Sequence, residues 1–107
     1  MAEVLTSIEE LRGRIDVIDD QLVRLLNVRV ACAVEVGRLK HEAGLPIYQP
    51  EREAQVLASV RTSATELAGP LTAEAVVRIF ERIIDEARRA ERAARTREDG
   101  LGPSNDE

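Results

Sequence analysis

Leu11, Ile15, Ile18, Leu22, Leu25, Arg29, Cys32, Val36 and Leu39 follow one another at alternating intervals of four and three residues, the repeat of a helix that packs along its length against another helix. No proline interrupts this run, and Ser7 with Glu10 three residues later reads as a capping box, so one helix is expected from Ser7 to about Glu42. Its length would be roughly 50 Å at about 1.5 Å per residue. Ala43, Gly44, Leu45 and Pro46 break the helix, and Ile47, Tyr48 and Gln49 form a short extended loop. Pro50, followed by Glu51, Arg52 and Glu53, then opens a shorter helix to about Thr65. Gly69 and Pro70 close the next connection, Thr72 is placed to cap, and Val76, Phe80, Ile83, Ala87 and Ala90 carry a third amphipathic helix to about Arg97. No strand pattern, internal repeat or glycine-rich phosphate loop interrupts this all-α reading. The organisation expected is a flexible N-terminus over 1–6, a helical domain over 7–97, and a disordered tail over 98–107, where Gly, Pro, Ser, Asn and acids predominate.

A chain of 107 residues makes one domain at most, with a modest core of its own. A long helix with an apolar seam therefore predicts a homodimer. The net charge of −5 argues against a nucleic-acid surface, and one Tyr, one Phe and no Trp leave no stacking platform for bases. No apolar run reaches membrane length, and Glu3, Glu9 and Glu10 interrupt any signal-peptide core, so a cytoplasmic protein is expected. The single Cys32 lies in the seam and predicts a small buried thiol, while His41 stands alone, so no metal site is expected.

The charges that remain point to a ligand. Arg29 is the only charged residue in the seam register. Burying an unpaired guanidinium costs several kcal/mol, so it must reach solvent, pair internally or await an anion. Arg29 and Lys40 are eleven residues apart, close to three turns, and so share a helix face at an axial separation of about 16 Å. Two long side chains leaning together can bracket a small dianion the size of one substituted ring. Arg12 lies seventeen residues before Arg29, about 25 Å along the axis, and reaches the same molecule only from an antiparallel second chain. A two-fold dimer would then hold two shared sites. The plainer reading of Arg12 is a solvated residue beside Glu9 and Asp16, each within a turn.

The series Leu11, Arg12, Gly13, Arg14, Ile15, Asp16, then Arg29, Val34, Glu35, Val36, Gly37, Arg38, Leu39, Lys40, closing on Leu45, Pro46, Ile47, Tyr48, Gln49, Pro50, Glu51, Arg52, Glu53, resembles the all-helical chorismate mutases. The resemblance covers about residues 7–95, and the cations, the Val-Glu-Val-Gly segment and the Pro-Glu-Arg-Glu segment stand in the family's order and spacing. It implies three helices per chain in an intertwined homodimer that converts chorismate to prephenate, in phenylalanine and tyrosine biosynthesis. The reaction is a Claisen rearrangement with no cofactor and no covalent intermediate, which suits a sequence without a nucleophile and base pair or a metal cluster. Catalysis would rest on holding an extended dicarboxylate compactly and on stabilising charge at the breaking ether oxygen.

Carried over by position, the resemblance makes Arg12 of the second subunit and Arg29 the carboxylate clamps, and Lys40 the cation touching a carboxylate and the ether oxygen. Arg52 becomes an accessory cation, and Glu53 the acceptor of the ring hydroxyl's hydrogen bond. Without the resemblance, Arg52 and Glu53 read as an ordinary charged first turn. Gln49 stands where many relatives have Asp, Ala87 where some have Ser, and Glu91 where many have Gln. Glutamine donates to the ether oxygen at any pH, whereas Glu91 donates only when protonated, so activity is expected to fall with rising pH. The competing role for Glu91 is a solvated pair with Arg88 or Arg95. Isochorismate pyruvate-lyase and 4-amino-4-deoxychorismate mutase are alternatives within the same fold. A non-catalytic helical dimer regulating a partner enzyme of the same pathway is the alternative outside catalysis.

Overall fold

Gly44 ends the first helix because the chain must turn left-handed there, and its φ of 69° is one that glycine adopts without a side-chain clash. The Gly44 N–H donates to the His41 carbonyl at 3.2 Å and the Leu45 N–H to the Lys40 carbonyl at 2.8 Å, the paired bonds that satisfy the last carbonyls of a helix. A computed structural model of the chain describes residues 1–98. It contains α1 (Ala2–Ala43), α2 (Pro50–Leu67) and α3 (Ala73–Glu98), with no strand among the described residues. The expected tail lies outside the described residues but for Glu98, the last residue of α3.

α1 begins earlier than the sequence reading placed it. Residues 2–6, expected to be flexible, are its first turns, and Thr6 Oγ1 donates to the Ala2 carbonyl at 3.0 Å. Ser7 is an interior helical residue rather than a cap, because Ala2, Glu3 and Leu5 are themselves good helix formers and propagate the helix upstream. α2 starts at Pro50, where the missing N–H of a first-turn proline costs nothing, and runs slightly past Thr65 to Leu67. Ala68 then takes a left-handed conformation at φ 52°, its N–H donating to the Ala64 carbonyl at 3.2 Å. Thr72 caps α3 as expected: its Oγ1 accepts from the Ala75 N–H at 3.0 Å.

Met1–Ala31 and the residues from Cys32 onward form two compact units. The first is the long N-terminal part of α1. In the second, α2 packs antiparallel on α3. Val56, Leu57, Val60 and Ala64 of α2 are half-buried, as are Val76, Val77, Phe80, Ile83 and Ile84 of α3. This is the face set by the three-and-four spacing of the apolar residues. Arg61 Nη1 donates to Glu74 Oε2 at 2.7 Å and ties the two helices together at their connected ends. Ala87 is the buried hydrophobic residue of the core, 5% exposed.

The α1 seam is open to solvent within one chain: Leu11 is 53% exposed, Leu22 50% and Leu25 64%. Cys32, expected to be a buried thiol, is exposed for the same reason, since its seam has no cover in the single chain. Among the described residues no helix is long and apolar enough to cross a membrane, and no group of His, Cys, Asp and Glu side chains is placed to hold a metal ion.

Candidate active site

Seven residues from the loop before α2, from the start of α2 and from α3 surround a cavity of about 490 Å³: Ile47, Tyr48, Glu53, Arg88, Glu91, Arg92 and Arg95. The loop between α1 and α2, expected to be extended, bends at Ile47, and Ile47 and Tyr48 line the cavity. Glu53 lies in the first turn of α2. On α3, Arg88, Glu91 and Arg95 are spaced by three and four residues, which places them on one helix face.

Glu53 and Arg88 make the central polar contact. Arg88 Nε donates to Glu53 Oε2 at 3.0 Å, and Arg88 Nη2 donates to Glu53 Oε1. Arg88 Nη1 donates in addition to Asp85 Oδ1 at 2.8 Å. The hydrogen bonds that Arg88 donates to Glu53 raise the Arg88 pKa above its ordinary value and outweigh the opposing effect of desolvation, with the Glu53 and Asp85 charges adding to the rise.

Glu91 is half-buried and turned toward α1. A β-carbon placed on Gly37 would stand 3.1 Å from Glu91 Oε1, so the absence of a side chain at this buried glycine is what admits the carboxyl. A small void of about 30 Å³ sits beside this contact, lined by Val34, Gly37, Arg38, Glu91, Ala94 and Arg95. The alternative pairing of Glu91 with Arg88 is not formed, because Arg88 is engaged by Glu53 and Asp85. Arg95 lines both spaces, and its Nη1 is buried with no hydrogen-bond partner. A guanidinium donor in that position is costly until an acceptor reaches it.

The structure thus brings two of the sequence candidates, Glu53 and Glu91, to one cavity. Lys40 is half-buried in the last turn of α1. Gln49 is exposed at the N-cap of α2, with no side-chain capping bond, and its carbonyl accepts from the Arg52 N–H at 3.1 Å. Arg52 is exposed on α2, and Ala87 is buried and does not line the cavity. Arg12 and Arg29 lie in the Met1–Ala31 unit, Arg12 exposed and paired with Glu9 at 3.3 Å, Arg29 half-buried. The sequence reading treated Arg88 and Arg95 only as solvent partners of Glu91 and gave Arg92 no role. Their spacing about Glu91 was the available signal, but only the packing of α2 on α3 shows that Glu53 takes Arg88.

Comparison with known proteins agrees with this architecture. Residues 11–92 match the family model described as chorismate mutase type II. The bifunctional chorismate mutase/prephenate dehydratase of Aquifex aeolicus is 38% identical over 81 residues, 75% of this chain but 22% of that protein. The chain therefore spans about a fifth of the length of this relative. A chorismate mutase from Methanocaldococcus jannaschii is 32% identical over 63 residues, 59% of this chain and 64% of that one. The chorismate mutase structure (form II) from Thermus thermophilus superimposes with a TM-score of 0.72 at 34% identity, covering 79% of this chain and 93% of that one. An all-helical chain with this match across most of its length belongs to the chorismate mutase type II family.

Proposed function

We propose that this chain rearranges chorismate to prephenate, as an intertwined homodimer in the cytoplasm, with no cofactor and no covalent intermediate. The observation that carries the reading is the cavity of about 490 Å³ with Glu53 and Glu91 on its wall among arginines, in a chain of the type II family. Its volume falls in the range that encloses a ring-sized ligand, and the adjoining cations suit a dicarboxylate.

In this reading Arg29, Lys40 and Arg52 bind carboxylates, joined by Arg12 of a second copy, and the compact reacting conformer is selected by those contacts. Lys40 and protonated Glu91 donate to the ether oxygen as negative charge develops there. Glu53 accepts from the ring hydroxyl, and the Gln49 backbone helps to orient it. Ala87 contributes no polar contact, so one carboxylate contact that a serine would make is missing. The buried, unpartnered Nη1 of Arg95 supports an anionic occupant. The exposed α1 seam supports the dimer, since apolar surface of this extent is normally covered. The longer bifunctional relatives, named for a prephenate dehydratase as well as a chorismate mutase, support a partner enzyme that consumes the product.

The test is incubation of the purified chain with chorismate, with isochorismate run in parallel and each product identified. Prephenate from chorismate is the expected result. Pyruvate and salicylate from isochorismate would replace the mutase by a lyase, and turnover of neither, alone or with added pathway enzymes, would overturn the catalytic reading.

A further inference from the structure

Arg88 stands inside the cavity yet is poorly placed to serve a dianion. Three of its N–H groups are already committed, two to Glu53 and one to Asp85, so two carboxylates surround one guanidinium. What it does is act on Glu53. The two contacts are parallel, one to each carboxylate oxygen, and this fork geometry fixes both the position and the plane of the acceptor. The Glu53 and Arg88 side chains are 28% and 35% exposed, so solvent reaches the pair only in part. An ionised carboxylate accepts at about four lone-pair sites, and a bidentate arginine leaves roughly half of them for another donor.

We propose that Arg88 is a positioning residue: it holds Glu53 as an oriented, acceptor-only carboxylate on the cavity wall, and thereby makes the site select a ring that carries a hydrogen-bond donor. This rests on the mutase reading and names the substrate feature that the Glu53 end of the site demands. A ring substituent that cannot donate would meet an acceptor with no donor, an arrangement that costs binding in a partly desolvated site.

The experiment compares wild type, Arg88→Gln and Arg88→Lys on two substrates, chorismate and chorismate O-methylated at its ring hydroxyl. The ether keeps both carboxylates and the breaking bond but lacks the donor. Wild type should prefer chorismate. In Arg88→Gln the kcat/KM for chorismate should fall about tenfold or more while that for the ether changes little, so the preference collapses; a factor of ten is the usual scale of one lost orienting contact. Arg88→Lys should recover only part of the preference, because a single ammonium cannot hold both oxygens in one plane. Equal losses on both substrates, with the ratio kept, would mean that Arg88 serves only to hold the helices together and would overturn the proposal. Should Arg88→Gln fail to fold by circular dichroism, Arg88→Lys decides alone: a ratio equal to wild type overturns the proposal and a reduced one supports it. Wild type inactive on both substrates would overturn the mutase reading itself, a result distinct from an active enzyme whose preference ignores Arg88.

Discussion

Gly37 on α1 and Glu91 on α3 meet so closely that a β-carbon on the glycine would stand 3.1 Å from Glu91 Oε1. The contact is tighter than ordinary van der Waals spacing, but the atom that must give way is the end of a flexible side chain. Gly37→Ala should therefore keep the fold and, through better helix propensity, hold or raise stability by about 0.5–1 kcal/mol. Displacement of the Glu91 carboxyl should at the same time lower kcat. Thermal denaturation and turnover of the same preparation check the split, and parallel losses of stability and activity would contradict it.

The Glu91 carboxyl shares its surroundings with Glu53, Arg88, Arg92, Arg95 and Tyr48 on one side and Arg38 on the other. In the proposed role the carboxyl donates only when protonated, so wild-type turnover should decline with rising pH. Glu91→Gln should remove that decline and exceed wild type at high pH. A flat wild-type profile, with no gain in the variant, would show that Glu91 donates nothing.

The open α1 seam predicts association. Leu22 lies in its middle at 50% exposure, and covering the exposed half of such a side chain contributes about 1 kcal/mol per copy. Leu22→Glu should convert a dimer to a monomer in sedimentation and abolish turnover, because Arg12 of the second copy would no longer reach the site. An active wild-type monomer would defeat the shared-site reading.

Glu74 carries a pH-dependent part of the stability. Its carboxylate is held below the ordinary value of 4.5, first by its own backbone N–H at the start of α3 and then by Arg61. A lowered folded-state pKa means stability that is present above the ordinary value and lost as pH falls through the lowered one. Glu74→Gln should thus melt earlier than wild type near neutrality, with the two melting temperatures converging in strong acid. Glu35, lowered chiefly by its hydrogen bond with Arg38, titrates alike in both proteins, so the difference isolates Glu74. A gap that persists in acid would assign the effect to packing instead.

Local chemistry sufficed for much of this molecule. Gly44, Pro50 and Thr72 announce helix ends because each fits one backbone task, a left-handed φ, a first turn without an N–H, and a cap hydroxyl. The seam from Leu11 to Leu39 and the face from Val76 to Ala90 follow from helical periodicity, and Glu53 and Glu91, both of which line one cavity, were legible as candidates through the family's spacing. Where α1 begins was less legible, because residues 2–6 carry no strong stop and helix propensity extends across them. The pairing of Glu53 with Arg88, the intimacy of Gly37 with Glu91 and the buried, unpartnered nitrogen of Arg95 belong to tertiary packing alone. Periodicity states which face of a helix is apolar, but not which charged group on a second helix arrives opposite it. That choice depends on how α2 and α3 seat against each other and on the space that Gly37 leaves for the Glu91 side chain.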